Sequence, residues 1–224
     1  MHEASPHTWA PDLVERLRRS LDAVHIKNPS REGDRRAAVC LTLVRPSSPR
    51  ILAVARTIHG VHGGQIGLPG GKTEEGDHTT WDTARRELVE EIGFEGDLIH
   101  LGHLGEFNTH GSRFRVDVEV ACAIPTAAWR LQEEEVTGLL ELPLADLLPT
   151  WRAMPTVDDV WHLPIDCGFD IAAKDWLVAG KSPQRGRGQQ LIHGDAVREM
   201  PFIWGLTARI LYAFFGQVWM PSGS

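Results

Sequence analysis

The sequence predicts a single-domain α/β (α+β) protein in which a β-sheet lies between helices. Its 224 residues suit one domain. Hydrophobic residues make up 42% of the chain, enough to bury a sizeable core, which argues against global disorder. Segments with helical periodicity alternate with runs of strand-forming residues, and such elements bury their apolar faces by packing in layers. A sheet with helices on both sides is the simplest packing for this pattern.

The start of the chain predicts one helix followed by two paired strands. Apolar residues recur at helical spacing through residues 11–24, and Pro11 suits a first helical turn. Residues 37–44 and 51–55 are rich in residue types that favour strands. Proline and serine at residues 46–49 form a turn signal between the two runs. We therefore expect these strands to pair with each other.

The middle of the chain predicts a glycine-rich loop, a helix and two strands. The loop covers residues 60–76, and the helix covers residues 79–92 and ends at Gly93, a residue type that favours the position after a helix. Residues 98–104 form the next predicted strand. Residues 114–124 begin with a strict alternation of apolar and polar types, which predicts a strand with one buried face.

The last part of the chain is less regular. Residues 136–142 predict a strand, and residues 144–148 predict a short helix. Scattered proline and tryptophan residues make residues 150–200 a predicted loop-rich insertion, with one short helix at residues 172–178. Residues 202–215 predict an apolar closing helix.

Composition narrows the classes of partner. The net charge of −7 argues against a general nucleic-acid binder, which needs a basic face. Cys40, Cys122 and Cys167 are too few and too widely spaced for a disulfide framework or a zinc ribbon, so we expect reduced thiols. The first residues lack the apolar run of a signal peptide, and charged and polar residues interrupt the late apolar stretch. A cytoplasmic protein without membrane association is the resulting expectation.

Acidic residues gather around the predicted helix at residues 79–92. Glu87, Glu90 and Glu91 lie at i, i+3 and i+4, on one helix face. Such a cluster repels itself unless cations neutralise it, and carboxylate oxygens are the ligands that hard divalent ions prefer. Arg86, four residues before Glu90, can supply part of the compensating charge. The cluster as a whole therefore indicates a divalent metal site, although for any single Glu a solvated acidic face is the better interpretation.

Flanking residues add to this constellation. Gly70 and Gly71 allow a close approach of backbone, which can offer a carbonyl ligand or contact a phosphate. Asp77 is predicted to cap the helix, because acidic side chains are favoured at the positive helix end. Residues 71–94 hold seven acidic residues against three basic ones, which is more than half of the net charge of the chain.

Residues 69–94 resemble the Nudix box, whose pattern is G-x5-E-x7-R-E-U-x-E-E-x-G-U, where U is aliphatic. Gly71 takes the place of the first glycine, and residues 86–94 match the second half with an aromatic residue at the last place. Asp77 stands where the pattern has its first Glu, and eight residues instead of seven separate it from Arg86. This longer spacing resembles the coenzyme A pyrophosphatase branch of the superfamily.

Other stretches are similar to that branch. Residues 56–69 resemble its upstream signature R-S-x-x-L-R-x-H-x-G-Q-V-x-F-P, and residues 203–208 resemble its I-W-G-x-T-A helix start. One departure matters, since residues 59–60 read His-Gly where the branch usually carries Leu-Arg. If that Arg binds a substrate phosphate, this chain either lacks the contact or makes it with another residue. Arg185 and Arg187 are the candidate replacements.

The resemblance implies the Nudix fold, a mixed sheet sandwiched between helices, with residues 1–224 as one domain and a core at about residues 35–215. It also implies metal-dependent hydrolysis of the pyrophosphate in a small-molecule nucleotide, with Mg²⁺ or Mn²⁺ as cofactor. The expected substrate is coenzyme A or an acyl-CoA, split to 3′,5′-ADP and (acyl-)phosphopantetheine. The implied site consists of catalytic Glu87, Arg86 and Glu135; metal ligands Glu87, Glu90, Glu91 and Gly71; and substrate-binding Arg56, His62, Gln65, Gly70 and Lys72.

Alternatives remain open at this point. The substrate can instead be ADP-ribose or another nucleoside diphosphate derivative. The general base is either Glu87 or one of three consecutive residues, Glu133, Glu134 and Glu135. A non-catalytic Nudix domain that senses nucleotides is disfavoured, because such domains typically lose box carboxylates and this chain keeps all three. A homodimer is left open.

Overall fold

The computed structural model describes residues 8–24, 26–27, 34–58, 63–109, 113–157, 159–164, 167–170, 173–183 and 202–220. In chain order the elements are α1 (Pro11–Ala23), β1 (Arg35–Val44), β2 (Arg50–Arg56), β3 (Ile66–Gly67), β4 (Gly70–Lys72), α2 (Thr80–Ile92), β5 (Gly96–Asn108), β6 (Phe114–Pro125), β7 (Val136–Pro143), α3 (Leu144–Ala153), a 3-10 turn (Val160–His162), β8 (Phe169–Asp170), α4 (Ala173–Trp176), β9 (Leu177–Gly180), β10 (Phe202–Ile203), α5 (Gly205–Phe214) and a π-helical turn (Phe215–Trp219).

Within the described residues, a mixed sheet of eight strands organises the molecule. Its main order is β5-β6-β1-β2-β7-β9, with β3 added to β2 and β4 added to β1. Strands β1 and β6 run parallel, and the other neighbours run antiparallel. The predicted pairing of the first two strands is confirmed, because Leu43 pairs with Ile51 across the turn. β4 places Gly71 opposite Ala38 of β1, which brings the glycine-rich segment into the sheet.

Helices cover both faces of this sheet, as predicted. On one face, α2 buries Ala84, Leu88 and Ile92 against the strands. On the other face, α1 and α5 share a larger core. Leu17 of α1 is fully buried there. The two cores are separated by the sheet, so each face can carry a different chemistry.

The predicted cap of α2 is wrong by two residues. Thr79, not Asp77, is the N-cap: its hydroxyl accepts a hydrogen bond from the Asp82 backbone N–H, and the Asp82 carboxylate accepts one from the Thr79 N–H. This reciprocal pair satisfies two of the free N–H groups at the helix start. The predicted helix end is confirmed, since Gly93 has φ 62° and so adopts the left-handed conformation that glycine tolerates.

The strand predicted to be half-buried is buried on both faces. β6 lies inside the sheet between β5 and β1, and helix α2 covers the face that carries its polar residues. Asp117 and Glu119 are buried there and bond to histidine side chains of β5: Glu119 lies 2.7 Å from His100, and Asp117 lies 3.2 Å from His103. In β6, the alternation of apolar and polar residues therefore marks a buried face whose polar groups are hydrogen-bonded, and not a face exposed to solvent.

The predicted glycine-rich loop and closing helix also differ in detail. The loop contains the short strands β3 and β4, which the pattern of turn residues concealed. The closing segment starts as strand β10, where Ile203 pairs with Phe169 of β8, and its helix begins only at Gly205. The predicted helix at residues 172–178 is a single turn that leads into strand β9.

Two expectations from composition can be compared with the structure. Cys40 and Cys122 are buried, free thiols, as predicted, and Cys167 forms no disulfide with either of them. Burial raises the pKa of both Cys40 and Cys122 to about 12, which keeps these thiols protonated and unreactive. Among the described residues, no helix has the length and apolar character needed to cross a membrane.

Candidate active site

Helix α2 divides its three acidic residues between the interior and the solvent. Glu87 and Glu91 are only 8% and 2% exposed, although both carry carboxylates. They lie one turn apart on the side of the helix that faces β4. Glu90 is on the outer side, with 56% of its side chain exposed. The structure therefore brings two of the three predicted metal ligands to the buried face and leaves the third at the surface.

The glycines of β4 allow these carboxylates to approach the backbone. A Cβ atom at Gly71 would lie 2.2 Å from Oε1 of Glu87, so only glycine leaves room for that carboxylate. The Gly70 N–H donates to Oε2 of Glu91 at 3.0 Å. Gly70 has φ 154°, and a Cβ there would meet the Ala38 carbonyl oxygen at 2.4 Å. Gly70 is thus required by its contact with backbone, whereas Gly71 leaves the space that the Glu87 carboxylate occupies.

Arg56 at the end of β2 links this strand to the second acidic residue. Its Nη2 donates to the Gly70 carbonyl oxygen at 2.9 Å and lies 3.4 Å from Oε1 of Glu91. The guanidinium therefore compensates part of the buried negative charge. Arg56 was predicted to bind substrate, and the structure gives it a second set of contacts within the protein.

Arg86 is the centre of a network of charge-assisted hydrogen bonds. It donates to both carboxylate oxygens of Asp77 at 3.2 and 3.0 Å, and to Glu87 and Glu90 at 3.0 and 2.8 Å. Its Nη2 also donates to the Lys72 carbonyl oxygen at 2.8 Å. These bonds fix the Glu87 carboxylate from one side and anchor the loop that carries Asp77. Arg86 therefore contacts Glu90, whose charge it was predicted to compensate, and it also contacts Glu87.

Burial and charge shift the pKa values of these groups in opposite directions. Burial raises the pKa of Glu91 to about 7, against the opposing charge of Arg56. Burial also raises the pKa of Glu87, and here Arg86 opposes the shift. The hydrogen bond from Arg86 lowers the pKa of Asp77 to about 2. Glu87 and Glu91 are thus desolvated carboxylates whose charges are only partly balanced by the protein.

The donor set around β4 fits a hard divalent cation in part. Oε1 of Glu91 is buried and makes no hydrogen bond within the described residues. Glu87 lies against the Gly71 backbone, whose carbonyl is a further oxygen donor. Mg²⁺ usually takes one or two carboxylates and completes its shell with water and phosphate oxygens. However, no three Asp, Glu, His or Cys side chains converge within the described chain, because Glu90 turns toward Arg86.

Two further predicted site residues, Glu135 and Gln65, lie near the same point. Glu135 is exposed, and its charge is near enough to contribute to the raised pKa of both Glu87 and Glu91. Its backbone carbonyl accepts a hydrogen bond from Thr57 at 2.9 Å. The Gln65 carbonyl accepts one from the Arg56 N–H at 3.0 Å. His62, Arg185 and Arg187 lie outside the described residues.

A cavity of about 330 Å³ opens beside β4. Four predicted substrate-binding residues line it: Arg56, Gln65, Gly70 and Lys72. The rest of its wall is mostly apolar and comes from β1, β6 and the start of α5, including Val39, Phe114, Val116, Trp204 and Leu206. Because α5 and α2 pack on opposite faces of the sheet, β4 separates this pocket from the buried side of α2.

Sequence reasoning missed the contribution of α5 to the pocket. Trp204, Thr207 and Arg209 line it, yet none was predicted as a site residue. The motif at residues 203–208 is the sequence signal for this contribution, because it marks the start of α5. A Cβ atom at Gly67 would lie 3.8 Å from Nε of Arg56 and 3.9 Å from the Thr207 hydroxyl oxygen, so both side chains border the space beside that glycine.

Comparisons with known proteins agree on one family. The NUDIX domain family matches residues 34–151. A Nudix hydrolase NudL from Yersinia enterocolitica serotype O:8 is 35% identical over 184 residues, which cover 81% of this chain and 80% of the relative. A Nudix hydrolase NudL from Yersinia pestis (strain Pestoides F) is 34% identical over 121 residues, which cover 53% of this chain and 60% of that relative.

Solved structures show a weaker likeness. The NUDIX domain of Shewanella oneidensis NrtR complexed with ADP ribose has a TM-score of 0.42 and 23% identity, and covers 53% of this chain and 79% of that chain. The MutT protein from Methanosarcina mazei Go1 has a TM-score of 0.43 and 21% identity, with coverage of 54% and 85%. Likeness at this level carries no information about the substrate.

Proposed function

Because the chain belongs to the Nudix hydrolase family, which hydrolyses the pyrophosphate of nucleoside diphosphate derivatives, we propose that its substrate is coenzyme A or an acyl-CoA. The products are then 3′,5′-ADP and (acyl-)phosphopantetheine. The observation that carries this proposal is the pocket beside β4, which joins cationic side chains to apolar walls. A nucleotide needs both, since its phosphates are anionic and its base and pantetheine arm offer apolar surface.

The residues of β4 and α2 that fit a divalent ion are the ones we propose as its ligands. Nudix hydrolases generally use such ions, and the candidates are Mg²⁺ and Mn²⁺. Glu87, Glu91 and the Gly71 carbonyl would hold the metal, and Glu90 is a further candidate if it leaves Arg86. When bound, the ion would neutralise phosphate oxygens and lower the pKa of a coordinated water.

The protein groups around these ligands have separate tasks. The Gly70 N–H orients Glu91 through its hydrogen bond to Oε2, and Arg86 orients Glu87 through its bond to Oε1. Glu135, exposed beside both carboxylates, is proposed to accept the proton of the attacking water. Glu87 is the alternative base, although its carboxylate already accepts a hydrogen bond from Arg86.

We also propose that residues 1–224 form one Nudix domain. Helix α1 lies before the matched segment and α5 lies after it, yet both bury side chains in one core on the same face of the sheet. A shared core of this kind supports a single folding unit.

The proposed substrate is tested by product analysis. The full chain is incubated with coenzyme A and either Mg²⁺ or Mn²⁺, and mass spectrometry identifies the products. We expect 3′,5′-ADP and 4′-phosphopantetheine in equal amounts, and none when the metal is chelated. ADP-ribose is run in parallel: its hydrolysis without that of coenzyme A would contradict the proposed substrate and support the broader class of nucleoside diphosphate derivatives. Product formation unaffected by chelation would contradict the metal site.

A further inference from the structure

The start of helix α5 faces the pocket without a side-chain cap. Trp204 is the N-cap residue, and no side chain in the described part of the chain bonds to this helix end. Trp204, Gly205, Leu206 and Thr207 all line the pocket. The N–H groups of a first helical turn have no partners within the helix, and the helix dipole makes this end positive. Such an end favours an anion, but by itself it does not define a site.

Arg209 supplies the second observation. Its side chain is only 4% exposed, and its Nη1 has no hydrogen-bond partner among the described residues. Its Nε donates to the Gly205 carbonyl oxygen at 3.4 Å, so the guanidinium reaches back along the helix toward the first turn. It lies 5.2 Å from the centre of the Trp161 ring, a contact that holds a cation without neutralising it.

Among the described residues, no acidic side chain of the pocket wall compensates this charge. The lining residues include the cations Arg56, Lys72 and Arg209, and no Asp or Glu among the described residues lines the pocket. Arg56 is already paired with Glu91, whereas Arg209 has no ion pair within the described chain. A buried guanidinium stays charged, and leaving it without a counter-ion costs stability. Within the described part of the chain, Arg209 is therefore a buried cation that an anionic ligand can neutralise.

We propose that the first turn of α5 and Arg209 form a subsite for a phosphate group of the substrate. The anion would accept hydrogen bonds from the helix N–H groups, the Thr207 hydroxyl and the Arg209 guanidinium. This subsite also gives a role to the motif at residues 203–208. It offers a replacement for the arginine that the related branch carries where this chain has His59 and Gly60, in place of the earlier candidates Arg185 and Arg187.

The subsite rests on the proposed function only for the identity of the phosphate. Two sources share this chemistry: a phosphomonoester on the nucleoside, such as the 3′-phosphate of coenzyme A, or the pyrophosphate itself. A binding experiment without metal separates the subsite from the hydrolytic reaction. The probes are adenosine 3′,5′-bisphosphate, AMP and adenosine, titrated calorimetrically into the full chain and into Arg209→Met.

We expect the wild-type chain to bind the bisphosphate and Arg209→Met to bind it at least about 10-fold more weakly, as loss of one charge-assisted contact predicts. A loss seen with the bisphosphate but not with AMP assigns the subsite to the 3′-phosphomonoester. An equal loss with both assigns it to the phosphate next to the scissile bond. Arg209→Lys, which keeps the charge without the fork of donors, is expected to lie between the two.

Arg16→Met is the matched control. Arg16 also lies over a tryptophan ring, 5.6 Å from the centre of Trp219, and donates to the Trp219 carbonyl oxygen at 3.1 Å, but it does not line the pocket. This variant is expected to bind the bisphosphate like the wild type. Thermal unfolding in phosphate-free buffer adds a second readout: removing an uncompensated buried charge is expected to leave Tm unchanged or raise it. A structural role of Arg209 would lower it.

The proposal is overturned if the wild-type chain binds none of the phosphates, or if Arg209→Met binds the bisphosphate as well as the wild type does. Failure of the hydrolytic proposal has a different signature. In that case the chain hydrolyses neither coenzyme A nor ADP-ribose, while its binding of the bisphosphate still depends on Arg209.

Discussion

The two sides of strand β4 differ in the charge that they leave uncompensated. On the α2 side, Glu87 and Glu91 are buried, and Oε1 of Glu91 has no hydrogen bond within the described residues. On the α5 side, Arg209 is buried, and its Nη1 has no partner there either. Arg56 balances the charge of Glu91 only in part, and Arg209 has no counter-ion among the described residues, so both sides bury charge that is incompletely compensated, which is costly. The α2 side therefore suits a cation, and the α5 side suits an anion.

This difference indicates how one nucleotide substrate can balance the charge on both sides of β4. On the α2 side, a metal ion would neutralise the carboxylates and would at the same time bind a phosphate group of the substrate. Arg56 connects the two sides, because it pairs with Glu91 and also lines the pocket near Thr207. Specificity for the nucleotide and catalysis at the pyrophosphate are thus expected to be separable by mutation.

The largest expected effect comes from the carboxylates of α2. We expect Glu87→Gln and Glu91→Gln each to lower kcat by at least about 100-fold, because each removes a proposed metal ligand while keeping the side-chain volume. Steady-state hydrolysis with saturating Mg²⁺ or Mn²⁺ measures the effect. Glu95→Gln is the matched control, since Glu95 is exposed and pairs with Arg130 away from β4. Near-normal turnover in both α2 variants, with the fold intact, would contradict the proposal that Glu87 and Glu91 bind the metal.

A smaller loss is expected from Gly71→Ala. The added Cβ would meet the carboxylate end of Glu87 at 2.2 Å, and that flexible group can move aside, so activity should fall more than stability does. We expect kcat to drop about 10-fold or more, as misplacement of a catalytic group predicts, with little change in Tm.

Gly216→Ala provides the comparison for this variant. A Cβ there would make an ordinary contact of 3.5 Å with Trp151, remote from the carboxylates. Equal kinetics for the two alanine variants would show that the space at Gly71 is not needed for the reaction.

The smallest expected effect concerns Asp77, which anchors Arg86. Asp77→Asn should lower Tm near neutral pH by about 3 °C, the shift expected for loss of roughly 1 kcal/mol in a chain of this size. The pKa of Asp77 is about 2 in the folded chain against its ordinary 3.8. Its charge therefore stabilises the fold above about pH 4, and this stabilisation is lost as the pH falls toward 2. Thermal unfolding at pH 7, 5, 4 and 3 should show the gap between the two proteins narrowing below pH 4. A gap that stays constant would refute the low pKa.

The sequence predicts correctly those elements that carry a strong local pattern, such as helical periodicity or a turn between two apolar runs. Helix α2 was placed from its periodicity and Gly93, and the β1–β2 pair was placed from a turn signal between two apolar runs. Short strands such as β3 and β4 left no comparable signal, since a strand of two or three glycine-rich residues exists only through its partner. The N-cap position was predicted wrongly because the Asp77 carboxylate accepts two hydrogen bonds from Arg86 and does not cap the helix.

The sequence by itself determined the family and the acidic helix, because the spacing of Glu87, Glu90 and Glu91 fixes their positions around α2 whatever surrounds it. Which of them is buried was decided by tertiary structure: β4 covers Glu87 and Glu91, while Arg86 holds Glu90 at the surface. Tertiary structure alone also brought Arg209, more than 130 residues away along the chain, to the pocket that Gly70 and Gly71 line. Uncompensated charge depends on burial and on partners distant in sequence, and neither can be seen in the spacing of residues.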